Sequence, residues 1–340
     1  MTKEMWDLIT GESLEALARK GLYPSRILGE GCTRYTVELV RLKDIKSTAT
    51  GKVQLKKNSH SVIKAFKVRK KEIIGSLYAT INESKEDDTN TNEFYISENL
   101  SHKNIAKVEN LIIFSDGRTS TYEESIENSS SLKSYLDKNP SESRICNIFS
   151  QLMDGMNYLN LEKHILHRDF KPENVIVGNN KGKLEVKITD FQQAKEIDDI
   201  NDQVLPTRGS SEYAYPGLLN GVISGRKTSA DLRTEVYAVG ATMLYAFDKK
   251  AFQNNLNYKL KEDSKGVPVK YNGQKLKFNL YKNGSKGLIK EKEHEANLGR
   301  ALRHVPAKYK SIIYKAMTMN KNKAYHNMGE MKAEFDSLKN

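Results

Sequence analysis

HRDFKPEN, residues 167–174, decides how this chain is read. It places a carboxylate at Asp169, an ammonium two residues on at Lys171 and a carboxamide five residues on at Asn174. Moving a phosphoryl group onto a hydroxyl needs a carboxylate to orient the hydroxyl and accept its proton. It also needs a cation to offset charge on the moving group and an oxygen ligand for magnesium. The surroundings are equally specific. Upstream, SRICNIFSQLMDGMNYLNLEK sets Ile145, Ile148, Phe149, Leu152, Met153, Met156 and Leu159 at helical spacing, which predicts a long helix with one buried face. Downstream, VIVGNNKGKLEVKITD reads as two short strands around a turn at Asn179–Gly182.

A loop of this form between a long helix and a hairpin resembles the catalytic loop of the eukaryotic-type protein kinase family. The remaining motifs can be placed from that resemblance. KITDFQQAKE is similar to the family's DFG segment, so Asp190 is the expected second magnesium ligand beside Asn174, with Gln192 where the family has glycine. SVIKAF resembles the strand whose lysine, here Lys64, grips the nucleotide phosphates. TNEFYISENLSHKNI resembles the helix whose glutamate, here Glu93, pairs with that lysine. LGEGCTRYTV supplies Gly29 and Gly31 to a nucleotide-covering loop, with Arg34 at the usual third glycine. TYEESIENSSSL resembles the linker that holds adenine, with contacts expected near Glu124 and Ile126.

Further along, RGSSEYAYPG is similar to the end of the family's activation segment, with Gly217 replacing its glutamate. That glutamate's buried arginine partner aligns with Ala324, so the ion pair is absent as a whole. Losing one partner of such a pair costs about 3–5 kcal/mol, whereas losing both can be nearly neutral. Glu235 stands at the family's loop-supporting aspartate, and an ordinary exposed helix charge is an equal reading of it. Thr207 and then Ser211 are the expected phosphorylation sites.

The resemblance implies an α+β, two-lobed kinase fold. Residues 1–26 are expected to form a helical extension, 27–123 a small β-rich N-lobe with one main helix, and 124–340 a mostly α-helical C-lobe. A lysine-rich insert is expected at about 249–292, as a hairpin or surface excursion. The implied cofactors are ATP and Mg2+. Lys171 and Ser210 imply a serine or threonine acceptor on a protein substrate, with autophosphorylation. The gamma phosphate would be transferred by Asp169, Lys171 and Asn174. Two other readings stand beside this one: an ATP-binding pseudokinase scaffold, suggested by Arg34, Gln192 and Gly217, and a small-molecule kinase of the aminoglycoside or choline type.

Composition sets bounds. The 340 residues carry a formal charge of +12, spread along the chain with acidic residues interleaved, which suits acidic partners without indicating a nucleic-acid site. Two cysteines far apart suggest neither a disulfide framework nor a zinc site. MTKEMWDLITGESLEALARKG has neither the charge pattern of a signal peptide nor an apolar run of membrane-spanning length, and a cytoplasmic protein is expected.

Overall fold

Alternating apolar and polar side chains in RYTVELVR and HSVIKAF predict strands with one buried face, and both segments are strands. The structure, a computed structural model, describes residues 22–30, 34–41, 45–46, 53–55, 60–66, 93–113, 119–124, 126, 129–199, 211–226, 229–271, 274–282 and 284–338. Most strands up to residue 124 are described by their backbone. The chain divides into two compact units. One contains Met1–Ser131, Ile176–Glu185 and Thr189–Gln192, and the other Leu132–Val175, Val186–Ile188 and Gln193–Asn340.

The first unit is built on a five-stranded antiparallel sheet. Its strands are β1 (Leu22–Glu30), β2 (Arg34–Arg41), β5 (His60–Phe66), β6 (Val108–Ile113) and β7 (Thr119–Glu124), in the order β1-β2-β5-β7-β6. Two short strands, β3 (Ile45–Lys46) and β4 (Val53–Leu55), pair with each other. One helical stretch, α1, is described over 93–98. β8 (Ser130–Ser131) pairs antiparallel with Ile176 and Val177 of β10 (Val175–Asn180). The hairpin of β10 and β11 (Lys183–Ile188) turns through positive φ at Lys181 and Gly182, and Gly182 N–H donates to Asn179 Oδ1 at 2.7 Å. Of the helical extension expected over residues 1–26, residues 1–21 lie outside the described residues, and residues 22–26 instead open strand β1, paired antiparallel with β2.

The second unit is helical around one central rod. A short helix, α2 (Leu132–Leu136), precedes α3 (Glu142–Asn157), whose N-cap Ser141 accepts from Arg144 N–H. All seven side chains predicted for the buried face of the long helix are buried, the last of them, Leu159, in a π-helical turn that follows. Each such burial contributes on the order of 1.5–3 kcal/mol. α5 (Leu232–Phe247), preceded by α4 (Pro216–Ile223), is buried on all sides from Glu235 to Tyr245. It starts at a capping box in which Thr234 N–H donates to Asp231 Oδ1 and Asp231 N–H to Thr234 Oγ1. Gly240 lets another helix approach closely, because a Cβ there would lie 2.6 Å from Ala316 Cβ on α8 (Ala307–Met317).

The segment expected as an insert resolves into a helix, α6 (Lys249–Asn255), and a long hairpin. The hairpin consists of β13 (Tyr258–Tyr271) and β14 (Gln274–Lys282), extended by β15 (Ser285–Lys286). α7 (Glu291–Ala301), α8 and α9 (Met328–Ser337) complete the unit. β9 (Ile165–Leu166) pairs with β12 (Lys195–Glu196), which fixes the entry to the HRDFKPEN loop.

Candidate active site

In the second unit one buried carboxylate organises the loop. Glu235, 2% exposed, accepts from His167 N–H at Oε2 and from Arg168 N–H at Oε1, both at 2.9 Å. Between these bonds and Asp169 the backbone of Arg168 is left-handed, with φ +66°. A non-glycine residue pays about 1–2 kcal/mol for that conformation, so something must hold it there. Burial pushes the Glu235 carboxyl above its usual range, while His167 and the two backbone donors pull it back. The structure thus resolves Glu235 as loop support rather than an exposed helix charge.

The three residues expected to do chemistry come together on this loop. Lys171 Nζ lies 2.7 Å from Asp169 Oδ2, and Asn174 Nδ2 donates to the same oxygen at 3.2 Å and to the Asp169 carbonyl at 2.8 Å. The Lys171 and Asp169 side chains are only 16% and 10% exposed, so solvent screens this pair weakly. His167, fully buried, accepts from Asp169 N–H through Nδ1 at 3.3 Å and stands edge-on to Phe170. Pro172 opens a single 3-10 turn that carries Asn174 back towards Asp169, with Asn174 N–H donating to Lys171 O at 3.0 Å. These bonds engage the Asn174 amide nitrogen and leave its oxygen as the group suited to a hard cation.

Beside Asp169 a cleft is lined by Phe170, Tyr213, Ala214, Tyr215 and Leu218. Tyr213 is fixed from two sides, stacked on Phe252 of α6 and edge-on to Tyr245 of α5. Tyr215 lies under the Arg233 guanidinium, 4.7 Å from the ring centre, and Arg233 donates to Thr318 O at 3.0 Å. At Gly217 a Cβ would come within 2.3 Å of Tyr215 Cε1. The Tyr215 ring therefore fills the space that a side chain at 217 would need. Tyr215 is thereby linked through Arg233 to Thr318 at the end of α8, and Ala324, where the resemblance expects the arginine, is buried. Ser211 is 4% exposed, and its Oγ accepts from Leu260 N–H at 3.2 Å, so it serves as a staple to the hairpin. Thr207 and Ser210 lie outside the described residues.

In the first unit, Glu93 is fully buried on α1 and accepts from Phe191 N–H at 3.2 Å. That bond ties the helix to the turn carrying Asp190, whose φ is +72°. The left-handed residue of the DFQ segment is therefore the aspartate. Gln192 sits in the following 3-10 turn and is not among the described residues with positive φ, so the freedom of glycine is not required there. Lys64 lies on β5 with its Cα opposite Thr36 of β2, and Gly29 lies on β1 opposite Thr36 as well. Gly31 falls outside the described residues. Glu124 ends β7, and Ile126 is buried just beyond it. Among the described residues no three His, Cys, Asp or Glu groups cluster as a metal site. Magnesium typically takes one or two protein oxygens plus phosphate and water, so Asn174 and Asp190 have the right donor chemistry for it. Among the described residues no helix is long and apolar enough to cross a membrane.

Comparison with known proteins defines the class. The protein kinase domain family matches residues 42–323, and the chain belongs to that family. It is 36% identical over 107 residues, 31% of its length, to a dual specificity mitogen-activated protein kinase kinase 1 of Dictyostelium discoideum. It is 25% identical over 210 residues, 57% of its length, to the serine/threonine-protein kinase tousled-like 2 of Mus musculus. These matches span only 15% and 29% of the respective relatives. The crystal structure of the Mycobacterium tuberculosis PknI kinase domain superposes with a TM-score of 0.54 at 14% identity, over 93% of this chain and 96% of that one. The two-lobed kinase fold follows from that match.

Sequence reasoning placed Asp169, Lys171 and Asn174 but did not single out Tyr213, Tyr215 or Arg233. Their contacts join segments far apart in the chain, and only the aromatic density of SEYAYPG hinted at the two tyrosines.

Proposed function

We propose that this chain is an ATP-dependent protein serine/threonine kinase that also phosphorylates itself. The observation that carries the reading is the convergence of Lys171 and Asn174 on one oxygen of Asp169, on a loop whose backbone is bonded to buried Glu235. Asp169 orients the acceptor hydroxyl and takes its proton as the new O–P bond forms and the bond from the gamma phosphorus to the bridging oxygen of ADP breaks. Lys171 offsets the charge that builds on the transferred group. Asn174 and Asp190 would hold magnesium, which when bound neutralises phosphate charge. Lys64 grips the nucleotide phosphates, with Glu93 as its partner, and Gly29, Gly31, Glu124 and Ile126 frame the nucleotide. Lys171, the tousled-like relative and the aromatic cleft beside Asp169 support a polypeptide hydroxyl as acceptor. The retained phosphate, metal and proton groups favour turnover over a scaffold.

Incubation of the purified chain with gamma-labelled ATP and Mg2+, followed by phosphoamino-acid analysis, tests the proposal. Phosphoserine or phosphothreonine is expected. Label found only on phosphotyrosine, or only on an added aminoglycoside or choline, would overturn it.

A further inference from the structure

The hairpin from Tyr258 to Lys286 carries eight lysines against two carboxylates, a large share of the chain's excess positive charge. Strand register sorts its residues into two faces. Leu260 pairs with Leu280, and Phe278 faces Glu262 and Val267 across a bulge. Leu280 and Phe278 are buried, and this inner face packs on α4, with Leu260 and Phe278 against Val222 and Ile223. The other face carries Lys259, Lys261, Lys277, Asn279 and Tyr281, and points away from the core.

The base of this outer face abuts the turn that leads into the cleft beside Asp169. At its base Lys259 pairs with Glu212 at 3.0 Å, and Leu260 N–H donates to Ser211 Oγ, one and two residues before the cleft-lining Tyr213. At the bulge, Asp263 accepts from Lys286, Asn279, Tyr281 and Lys265 N–H, which holds its carboxyl well below the usual range. Gly266 is needed in the bulge, because a Cβ there would meet the Phe278 backbone at 2.6 Å. The hairpin is thus tied to the Ser211–Glu212 turn at its base and braced within itself at the bulge.

Some of its charge is neutralised by carboxylate partners and some is not. Lys259 and Lys286 have carboxylate partners. Lys261, Lys265 and Lys277 are exposed and, among the described residues, form no ion pair. Tyr281 lies between Lys261 and Lys286, whose ammonium groups are 5.2 and 5.4 Å from its ring centre. With both lysines over that ring, Tyr281 is not a bare platform for a nucleic-acid base.

We propose that the outer face of the β13–β14 hairpin docks an acidic segment of the protein substrate through Lys261, Lys265 and Lys277, while the acceptor hydroxyl lies in the cleft at Asp169. This deepens the kinase reading and rests on it. Charge complementarity selects the partner, and contact with the Tyr213 turn lets one polypeptide occupy both places.

The first test is binding of a fluorescein-labelled peptide with a glutamate-rich tail, compared with a glutamine-tailed control, to the full chain and to Asp169→Asn. Both proteins are expected to prefer the acidic tail by roughly tenfold, three exposed charge pairs being worth that much together, and the preference should shrink with added salt. The triple variant Lys261→Glu/Lys265→Glu/Lys277→Glu should lose the preference with an unchanged thermal melt. In turnover, the acidic-tailed serine peptide should show the lower KM in the wild type, and the variant should lose that KM advantage at similar kcat. Equal affinity for both tails in the wild type, or an undiminished preference in the triple variant, would overturn the proposal. So would loss in the variant only of oligonucleotide or phosphatidylserine-vesicle binding. If no phosphate is transferred to any peptide while acidic-tail binding behaves as described, the kinase reading fails and the docking face stands.

Discussion

Replacing Glu235 with glutamine keeps size and shape but removes a charge and one acceptor oxygen. In the wild type each carboxylate oxygen accepts one backbone N–H at 2.9 Å. Glutamine can satisfy either His167 or Arg168, and turns its own NH2 towards the other. A hydrogen bond to a charged group is worth about 1.5–3 kcal/mol, and a buried donor left unpaired costs about 1–3 kcal/mol. Part of that is returned because a neutral amide escapes the burial penalty that raises the Glu235 carboxyl. A net destabilisation of about 2–3 kcal/mol results, read as a lower urea midpoint at constant slope. The larger effect falls on turnover. The bonds to Glu235 hold Arg168 at φ +66° and so aim Asp169, and a misplacement of about 1 Å can reduce rate by about a hundredfold. A Gln variant within about 0.5 kcal/mol of wild type, with kcat within about twofold, would refute the claim that this carboxylate organises the loop.

Gly217→Glu restores the residue that family resemblance would supply, yet it should destabilise the fold by about 1–3 kcal/mol, because its Cβ would meet the Tyr215 ring at 2.3 Å. A raised thermal midpoint would show that the Tyr215 ring does not occupy the space a side chain at 217 needs. His294 is buried between Tyr258 OH, 3.0 Å from its Nδ1, and Met317 O, 2.8 Å from its Nε2, and burial lowers its pKa. A depressed folded-state pKa means that the unfolded chain binds the proton more readily. Stability is therefore full above pH ~6.5 and falls as pH drops towards the folded value, by at most about 1.4 kcal/mol per pH unit. His294→Gln should remove that slope from urea unfolding measured across the acid range, and an unchanged slope would contradict the assignment.

Much of the fold was legible because its signals are local. The face of α3 repeats within sixteen residues, and the β10–β11 turn follows from Asn179, Lys181 and Gly182. HRDFKPEN brought Asp169, Lys171 and Asn174 together because five residues and one proline turn suffice. Glu235 was ambiguous, since its partners lie 67 and 68 residues away and a helix glutamate looks the same whether buried or exposed. The lysine-rich segment read as a surface excursion because exposed lysines dominate its composition. Its inner face of Tyr258, Leu260, Phe278 and Leu280 becomes apparent only with the register across the bulge. Arg233 carried no signal, because a cation over an aromatic ring has no sequence spacing.

The most direct measurement is the single-turnover rate of phosphate transfer from ATP to protein hydroxyls by the wild-type chain and by Asp169→Ala, both shown to melt alike. Loss of the carboxylate proposed to accept the proton should lower the rate by about 10²–10⁴-fold while nucleotide affinity stays the same. Equal rates in the two proteins would contradict the role given to Asp169.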